Sequence, residues 1–385
     1  MPDNFTNVSA AGYANRIVGS FIGAILGLAL FIGSFVLLYW NEGRVDISTI
    51  AKKAAEINSR NASPADSLNG ALISTTGNIT SDEMIGDGLY LKPGRYLTIE
   101  RRREMFAWIE QTETKTSDNP GGTKTTETVI KYVKGWTGEP SLSSGFRHPE
   151  EHQNPQISLS GSSNTVRAAK IGSFDFDPPQ AALPPPARLA LNDGIVDLKD
   201  GATLAGGFVF LRKSQDGTLN NPQIGDIRVS YYALASNFQG TIFGKLNGSR
   251  VEPYVDAKGD RLCHVFQGSR ELAIANLHTE YSLLLWILRV AGFAMMWIGL
   301  ALIFDPVTTL LDLVPVFGAI GKVVILFVTL ITAIVRSTVA ILVSMALHNI
   351  IAVAVAGALV FVGMIALLVS VKRKRQAAFA PGIVG

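Results

Sequence analysis

The amino-acid sequence predicts an α+β membrane protein with four transmembrane helices and a large, mostly antiparallel β extramembrane domain. Three observations lead to this fold class. The 385 residues are 48% hydrophobic but only 17% charged, below the roughly 25% that is usual for soluble domains. The apolar residues concentrate near residue 30 and after residue 282. Between these stretches, short runs of β-branched and aromatic residues alternate with turn residues, which is typical of strands.

Composition also excludes several classes of function. The formal charge is only +3, and no basic stripe is interleaved with aromatic residues, so nucleic acid is not an expected partner. The single cysteine, Cys263, excludes an intrachain disulfide, a redox pair and a cysteine-based zinc site. The extramembrane domain is therefore expected to depend on its own core.

The first predicted span covers residues 17–40. It contains no charged residue and exceeds the roughly 20 residues that a spanning helix needs. Tyr39 and Trp40 close the run, as aromatic rings do at a bilayer interface. A cleaved signal peptide is the competing interpretation, but its apolar region has roughly 7–15 residues and ends at small residues. Residues 1–16 are then a short cytoplasmic N-terminus.

The C-terminal region predicts three more spans. Residues 282–304 form the second, which Asp305 and Pro306 terminate. Residues 305–317 are predicted to include a short amphipathic helix in the cytoplasmic membrane interface. As one helix, residues 316–371 would extend about 84 Å, against a hydrocarbon core of roughly 30 Å. A break at the polar pair His348 and Asn349 gives a third span at 318–347 and a fourth at 350–371.

The orientation follows from the basic tail at residues 372–385, which begins Lys-Arg-Lys-Arg directly after the last span. Basic residues beside a span favour the cytoplasm, so both termini are expected there. The domain at residues 41–281 would then be periplasmic, with the spans in the inner membrane, if the protein is bacterial. In a eukaryote it would be lumenal, in the endoplasmic reticulum or inner nuclear membrane.

Within that domain, residues 46–62 are predicted to be helical because isoleucine and alanine recur at helical spacing. Two strand-like runs then flank a hairpin turn at residues 118–122. Residues 226–234 alternate between apolar and polar side chains, as a half-buried strand does.

One short motif resembles the inverted zinc-protease pattern H-x-x-E-H, in which two histidines hold zinc and a glutamate activates water. Its residues are His148, Glu151 and His152. Pro149 interrupts the motif, no helical stripe continues on either side, and a third ligand is not evident. A solvated loop is the favoured interpretation, and no metal, cofactor or catalytic set is expected.

Two features of the spans are candidate functional sites. Gly19, Gly23 and Gly27 recur every four residues, which either forms a helix-packing face or reflects the abundance of glycine in spans. Arg289 and Arg336 lie within predicted spans, where a charge costs at least a few kcal/mol. They are expected to pair with a carboxylate or a lipid phosphate, or to line an ion or lipid pathway.

Several runs resemble the transmembrane protein 43 family, also called LUMA. The opening motif consists of Trp40, Asn41, Glu42, Gly43 and Arg44. Further similar runs are residues 103–110 (REMFAWIE), 152–155 (HQNP), 222–230 (PQIGDIRVS) and the connection at 305–317. The resemblance covers nearly the whole chain in order. The composition, rich in alanine, valine and glycine, is typical of a bacterial member.

The resemblance implies four spans, a large domain between the first two, self-association, and no established reaction. Animal members contact nuclear-envelope proteins such as emerin and lamins, a role that cannot apply in a bacterium. The sequence therefore predicts a non-enzymatic, homo-oligomeric scaffold in the lipid bilayer that contacts other membrane proteins. The alternative prediction is a channel or lipid-handling protein that uses Arg289 and Arg336.

Overall fold

The structure is a computed structural model that describes residues 4–60, 66–119, 123–256, 259–312 and 315–348. The chain divides into two compact units, each described by itself. The β domain comprises Met1–Ser9, Asp46–Thr116 and Thr126–Tyr281. The membrane unit comprises Ala10–Val45, Ser117–Thr125 and Ser282–Gly385.

The described helices and strands are as follows, in chain order. The helices are α1 (Tyr13–Glu42), α2 (Ile47–Ala51), α3 (Arg270–Ile303), α4 (Asp305–Leu311) and α5 (Pro315–His348). The strands are β1 (Asn4–Ala11), β2 (Ala55–Asn58), β3 (Leu72–Thr80), β4 (Tyr96–Asp118), β5 (Lys124–Thr137), β6 (Ser162–Thr165), β7 (Ala169–Ile171), β8 (Phe174–Phe176), β9 (Ala187–Arg188), β10 (Thr203–Ala205), β11 (Phe208–Leu211), β12 (Ile227–Ala235), β13 (Phe238–Asn247), β14 (Arg250–Glu252), β15 (Tyr254–Val255), β16 (Arg261–Leu262) and β17 (His264–Gln267).

An eight-stranded sheet is built around β4 and β12. Its order is β1-β5-β4-β12-β11-β10, and β6 and β9 add to β4 and β12 respectively. The long strands β4 and β5 are neighbours, and where they end the backbone N–H of Asn119 donates to the carbonyl of Thr123 at 2.9 Å. The predicted turn at 118–122 falls here, with residues 120–122 outside the described residues.

A second, seven-stranded sheet closes partly on itself. Strand β13 pairs with β3, β14 and β17, while β14, β8 and β7 lead back to β3. The pairings β2–β3 and β14–β8 are parallel, and the other registers described in this sheet are antiparallel. A ring of strands has fewer free edges than an open sheet, which protects its backbone polar groups. The large, mostly antiparallel β domain that the sequence predicted is confirmed.

Aliphatic and aromatic side chains form the core of the β domain. Ile79, Ile171 and Phe174 are fully buried in a cluster beneath the partly closed sheet. Val229 and Tyr231, on alternate positions of β12, are buried in a second cluster. The alternation predicted for residues 226–234 therefore places one face of the strand in the core.

The prediction of a helix at residues 46–62 is correct only for its first turn and wrong beyond it. Helix α2 covers only Ile47–Ala51, and its N-terminus is capped by Asp46, which accepts the N–H of Ser48 at 2.9 Å. The next residues form β2, which pairs in parallel with β3 and buries Ile57. Strand pairing and core burial here outweigh the local helical spacing, because propensity is a weak determinant.

The membrane unit contains the transmembrane helices. Among the described residues, three helices are long and apolar enough to cross a membrane, and they cover nearly all of the predicted spans at 17–40, 282–304 and 318–347. The fourth predicted span, 350–371, lies outside the described residues, as does the tail at 372–385. One N-terminal and two C-terminal candidate spans are thus established, which makes this an integral membrane protein.

Two segments next to the spans have their own structure. In the interfacial segment predicted at 305–317, α4 begins at Asp305, with Phe304 as N-cap and Pro306 in the first turn. Residues in the predicted cytoplasmic N-terminus form β1, which joins β5 at one side of the eight-stranded sheet. The sequence reasoning did not foresee this strand. The sequence placed residues 1–16 and 41–281 on opposite sides of the membrane, and the pairing of β1 with β5 conflicts with that orientation. The side of the membrane on which each segment lies stays a prediction.

Candidate functional site

An open groove of about 770 Å³ lies on the β domain along one face of β4 and β12. Successive residues of a strand point to opposite faces, so alternate side chains share the groove. Across the two strands Arg228 is opposite Glu104, Ser230 opposite Arg102, and Tyr232 opposite Glu100. The added strand β9 brings Arg188 beside Tyr232, and the end of β11 supplies Phe208.

The arginines of the groove stack on aromatic rings. The guanidinium carbon of Arg102 lies 4.0 Å from the centroid of Tyr232, and that of Arg188 lies 4.4 Å from Phe208. Arg228 lies 4.7 Å from the Phe208 ring and 4.6 Å from a second ring, that of Trp136. Such stacking fixes the plane of each guanidinium while leaving its edge N–H groups available for a ligand.

Two of these arginines also hold carboxylates of the same face. Arg102 donates two hydrogen bonds of 2.9 Å to Glu100, and Arg228 donates one of 2.7 Å to Glu104. The hydrogen bond from Arg102 lowers the pKa of Glu100 below its ordinary value, so this carboxylate stays ionised. Among the described residues Arg188 has no carboxylate partner. The groove is therefore suited to a ligand that brings its own carboxylate or phosphate to Arg188.

A buried polar network supports β4 and β12 from the opposite side of the sheet. The Asp87 carboxylate accepts the backbone N–H groups of residues 89–91 at 2.8–3.0 Å, a 2.8 Å bond from Arg101, and the hydroxyl of Tyr231. Burial alone would raise the pKa of Asp87, but the hydrogen bonds from Tyr231, the backbone and Arg101 keep it below its ordinary value. This network locks the register of the two strands.

The H-x-x-E-H residues lie in a loop after β5, where both histidine rings stack on aromatic side chains. His148 stacks on Phe5, and His152 stacks on Tyr132, each with ring centroids 3.8 Å apart. Glu151 is exposed to solvent. Within the described parts of the chain, no three His, Cys, Asp or Glu side chains are grouped to hold a metal ion.

The motif at residues 40–44 forms the C-terminal end of α1. The Asn41 amide donates to the carbonyl of Leu285 at 3.0 Å, so it joins α1 to α3 within the membrane unit. The guanidinium of Arg44 lies 5.9 Å from the ring centroid of Trp40. Gly43 is the C-cap of the helix and lies directly against the imidazole of His348. A side chain at this position would not fit in the space.

The two intramembrane arginines have separate environments. Arg289 makes two 2.8 Å hydrogen bonds to Glu42, whose side chain is only 4% exposed. Arg336 is exposed on α5 and makes no hydrogen bond or ion pair with any residue that the structure describes. Arg289 therefore belongs to a buried ion pair, whereas the counter-charge of Arg336 lies elsewhere.

The three glycines of α1 also differ from one another. A methyl group added to Gly27 would lie 2.7 Å from the carbonyl oxygen of Gly299, so α1 and α3 meet there at backbone distance. The same construction at Gly23 reaches only the end of Leu302 at 3.9 Å, and at Gly19 it meets nothing within 4 Å. Gly27 thus lies at a helix contact, while Gly19 lies on an open surface.

The sequence reasoning missed the groove. In the sequence, the groove residues appear only as a run of arginines and glutamates before Met105 and as polar positions in the run after Asp226. Alternation assigns Arg102 and Arg228 to the outer face of their strands, so the period of two was a usable signal. The contributions of Arg188 and Phe208 come from distant strands and depend on the sheet order.

Comparison with known proteins identifies relatives that are similar over most of the chain. The family model described as "Transmembrane protein 43" matches residues 105–350. Transmembrane protein 43 of Rattus norvegicus is 26% identical over 332 residues, covering 80% of this chain and 79% of the rat protein. The Homo sapiens protein is 26% identical over 335 residues, covering 80% of each chain. Transmembrane protein 43 homolog of Drosophila melanogaster is 24% identical, covering 79% of this chain and 85% of the fly protein.

No solved structure matches the chain. The family model covers well over half of the sequence, including most of the β domain, both C-terminal candidate spans and the helix between them. The relatives carry names of membrane proteins, in agreement with the apolar helices described above. The chain belongs to the transmembrane protein 43 family.

Proposed function

We propose that this protein is a non-enzymatic membrane scaffold that self-associates and recruits partners through an extracytoplasmic β domain. The groove on β4 and β12 is the observation that carries this proposal. Arginine, tyrosine and tryptophan are enriched at protein interfaces and supply most hot-spot residues, and the groove is built from stacked pairs of these types. Because the helices of the membrane unit anchor the chain, a recruited partner would be held at the bilayer.

The charges of the groove favour an acidic partner segment. Glu100 and Glu104 already neutralise Arg102 and Arg228, whereas Arg188 stacks on Phe208 and has no described carboxylate partner. A partner carboxylate could therefore bind Arg188 without displacing an existing ion pair. Stacked arginine loses less side-chain freedom on binding than a free one, which favours affinity.

Self-association is tested by measuring the mass of the full-length protein in detergent and in lipid nanodiscs at several concentrations. We expect a species larger than one chain whose fraction rises with concentration, since association follows mass action. A strictly monomeric mass throughout would overturn the self-association part of the proposal.

Recruitment through the groove is tested with a fluorescent hexaglutamate peptide, with hexalysine as the control probe. Arg188→Glu should weaken hexaglutamate binding by about tenfold, or 1.4 kcal/mol, which is more than most interface residues contribute. Lys170→Glu is the matched control, because Lys170 is an exposed cation on β7 of the other sheet. Equal loss in both variants would mean that only net charge matters and that the groove is not the site.

The second candidate function is a channel or lipid-handling protein that uses Arg289 and Arg336. The exposed Arg336 favours it, but the two hydrogen bonds between Arg289 and Glu42 commit the other arginine to a structural ion pair. In liposomes, Arg289→Gln/Arg336→Gln should reduce ion or lipid flux if this function is correct. Unchanged flux in the double variant would refute it.

A further inference from the structure

Arg336 is a charged residue of the membrane unit that has no hydrogen bond or ion pair with the described residues. Its side chain is exposed on α5 between Val335 and Val339, which are 56% and 52% exposed. Ala333 and Ser337, about 60° and 100° from Arg336 around the helix on its other side, are buried. Arg336 therefore lies at the border between the buried side of α5 and its exposed apolar side, where lipid or another helix is the neighbour.

The position along α5 places Arg336 deep in the bilayer. Lys322 precedes it by fourteen residues, about 21 Å, and His348 follows it by twelve, about 18 Å, at 1.5 Å per residue. The hydrocarbon core is about 30 Å thick, so Arg336 lies near its middle. Arginines close to helix ends reach the headgroups by extending along the helix, but a central position does not offer that route.

Two carboxylates described in the membrane unit, those of Glu42 and Asp312, are paired with cations. Arg289 binds Glu42 with two hydrogen bonds of 2.8 Å. Asp312, only 7% exposed, accepts from Arg16 at 2.5 Å and Lys322 at 2.9 Å. Both buried carboxylates are therefore already bound to cations.

The predicted spans at 17–40, 282–304 and 318–347 contain no aspartate or glutamate in their sequence. Asp305, at the start of α4, accepts the hydroxyl of Thr308 at 3.0 Å. Residues 349–371, which lie outside the described residues, contain no aspartate or glutamate in their sequence. The carboxylate that would neutralise Arg336 must come from another molecule.

A two-fold dimer of this chain through the same face does not provide it. Two copies related by a two-fold axis at this face would place one Arg336 opposite the other. Like charges repel strongly in the low dielectric of the bilayer. We propose that this face of α5 binds a transmembrane helix of a different protein, one that carries an aspartate or glutamate at matching depth. This inference does not depend on self-association or on the groove.

The probe is a synthetic, fluorescent polyleucine helix with one central glutamate. Binding to the labelled full-length protein in phosphatidylcholine liposomes is measured by energy transfer. Polar pairs between spans contribute about 1–2 kcal/mol, so the glutamate helix should bind roughly tenfold more tightly than an all-leucine helix. Arg336→Leu should abolish the difference, whereas Val335→Leu on the same face should retain it.

A charge exchange makes the test specific. The Arg336→Glu variant should no longer bind the central-glutamate helix more tightly than the all-leucine helix. It should instead bind a helix with a central lysine about tenfold more tightly than the all-leucine helix. A glutamate placed near the end of the probe helix should bind no better than leucine. Arg336→Gln is a second neutral variant, so the comparison stands if Arg336→Leu fails to fold.

Two results would overturn the proposal. If Arg336→Leu and Arg336→Gln bind the central-glutamate helix as tightly as the unmodified protein, the face is covered by lipid or by residues 349–371. If Arg336→Cys, in a Cys263→Ser background, reacts rapidly with a membrane-impermeant thiol reagent, Arg336 lines a water-filled pathway instead of a helix interface.

Discussion

The β domain and the membrane unit are stabilised by opposite kinds of contact. In the β domain, large side chains such as Ile79 and Phe174 are fully buried. In the membrane unit, α1 and α3 approach so closely at Gly27 and Gly299 that neither position has room for a methyl group. The buried apolar cluster there is small and centres on Leu38 and Met296, both completely buried, with Leu300 and Ala333 beside them.

The difference follows from the solvent of each unit. A water-exposed domain gains about 25 cal/mol for each Å² of apolar surface that it buries. Helices in lipid gain little from the same burial, because the lipid tails are equally apolar, and they depend on close packing and polar contacts. Enlarging a residue should therefore harm the membrane unit most, and shortening a residue should harm the β domain.

The largest effect is expected for Gly27→Leu. A side chain here would meet the carbonyl of Gly299 and the backbone N–H of Ile303, at 2.7 and 2.9 Å from its first carbon, so the helices must separate. We expect loss of most folded protein, measured as the monodisperse fraction in detergent after heating. Gly19→Leu is the matched control on the same helix, since nothing lies within 4 Å of it. Equal loss in both variants would refute the contact.

The next effect is expected for Glu42→Gln, which removes the negative charge that pairs with Arg289 in the membrane unit. Breaking a buried ion pair from one side costs about 3–5 kcal/mol. Thermal unfolding in detergent should show a large decrease for Glu42→Gln and a smaller one for Glu42→Gln/Arg289→Gln. A double variant that is less stable than the single variant would contradict this assignment.

The same contrast explains what the sequence could predict. Long apolar runs identify spans directly, because crossing the hydrocarbon dictates length and composition. The alternation at residues 226–234 likewise identified a strand face that the structure buries. The helix prediction for residues 46–62 failed because β2 pairs in parallel with β3 despite the local isoleucine spacing. That pairing is a long-range contact that sequence spacing does not reveal.

The candidate sites were less predictable than the fold. A carboxylate partner was one of the expectations for Arg289, and in the structure that carboxylate is Glu42. The groove is lined by five strands from distant parts of the sequence, and no local pattern specifies their order. The histidine motif suggested metal chemistry, whereas its rings stack on Phe5 and Tyr132, and Phe5 comes from a strand that the sequence did not reveal.

A pH-dependent effect is expected for Asp87 in the β domain. The folded-state pKa of Asp87 lies below its ordinary value of about 3.9. Its contribution to stability is therefore fully present above that value and is lost as the pH falls through the folded-state pKa. Asp87→Asn should cost about 1–3 kcal/mol near neutral pH, because Tyr231 and Arg101 lose a buried, charged acceptor.

The measurement is thermal unfolding of the full-length protein from neutral to acidic pH. The difference between Asp87→Asn and the unmodified protein should shrink as the pH falls towards the folded-state pKa. Asp197→Asn is the control, because its ion pair with Lys199 has both side chains more than half exposed. A pH-independent difference for Asp87→Asn would show that its charge does not contribute.

The smallest effect is expected for Ile79→Val, which removes one methylene from the core and keeps a β-branched side chain. Ile79 is fully buried beside Ile171 in the partly closed sheet, so its loss leaves a small cavity. Such truncations cost about 0.5–1.5 kcal/mol. In the membrane unit, Ile25→Val removes the same group from a side chain that is 73% exposed and should leave thermal unfolding unchanged. If both variants lowered stability equally, apolar burial would stabilise the two units alike, and the contrast between them would be wrong.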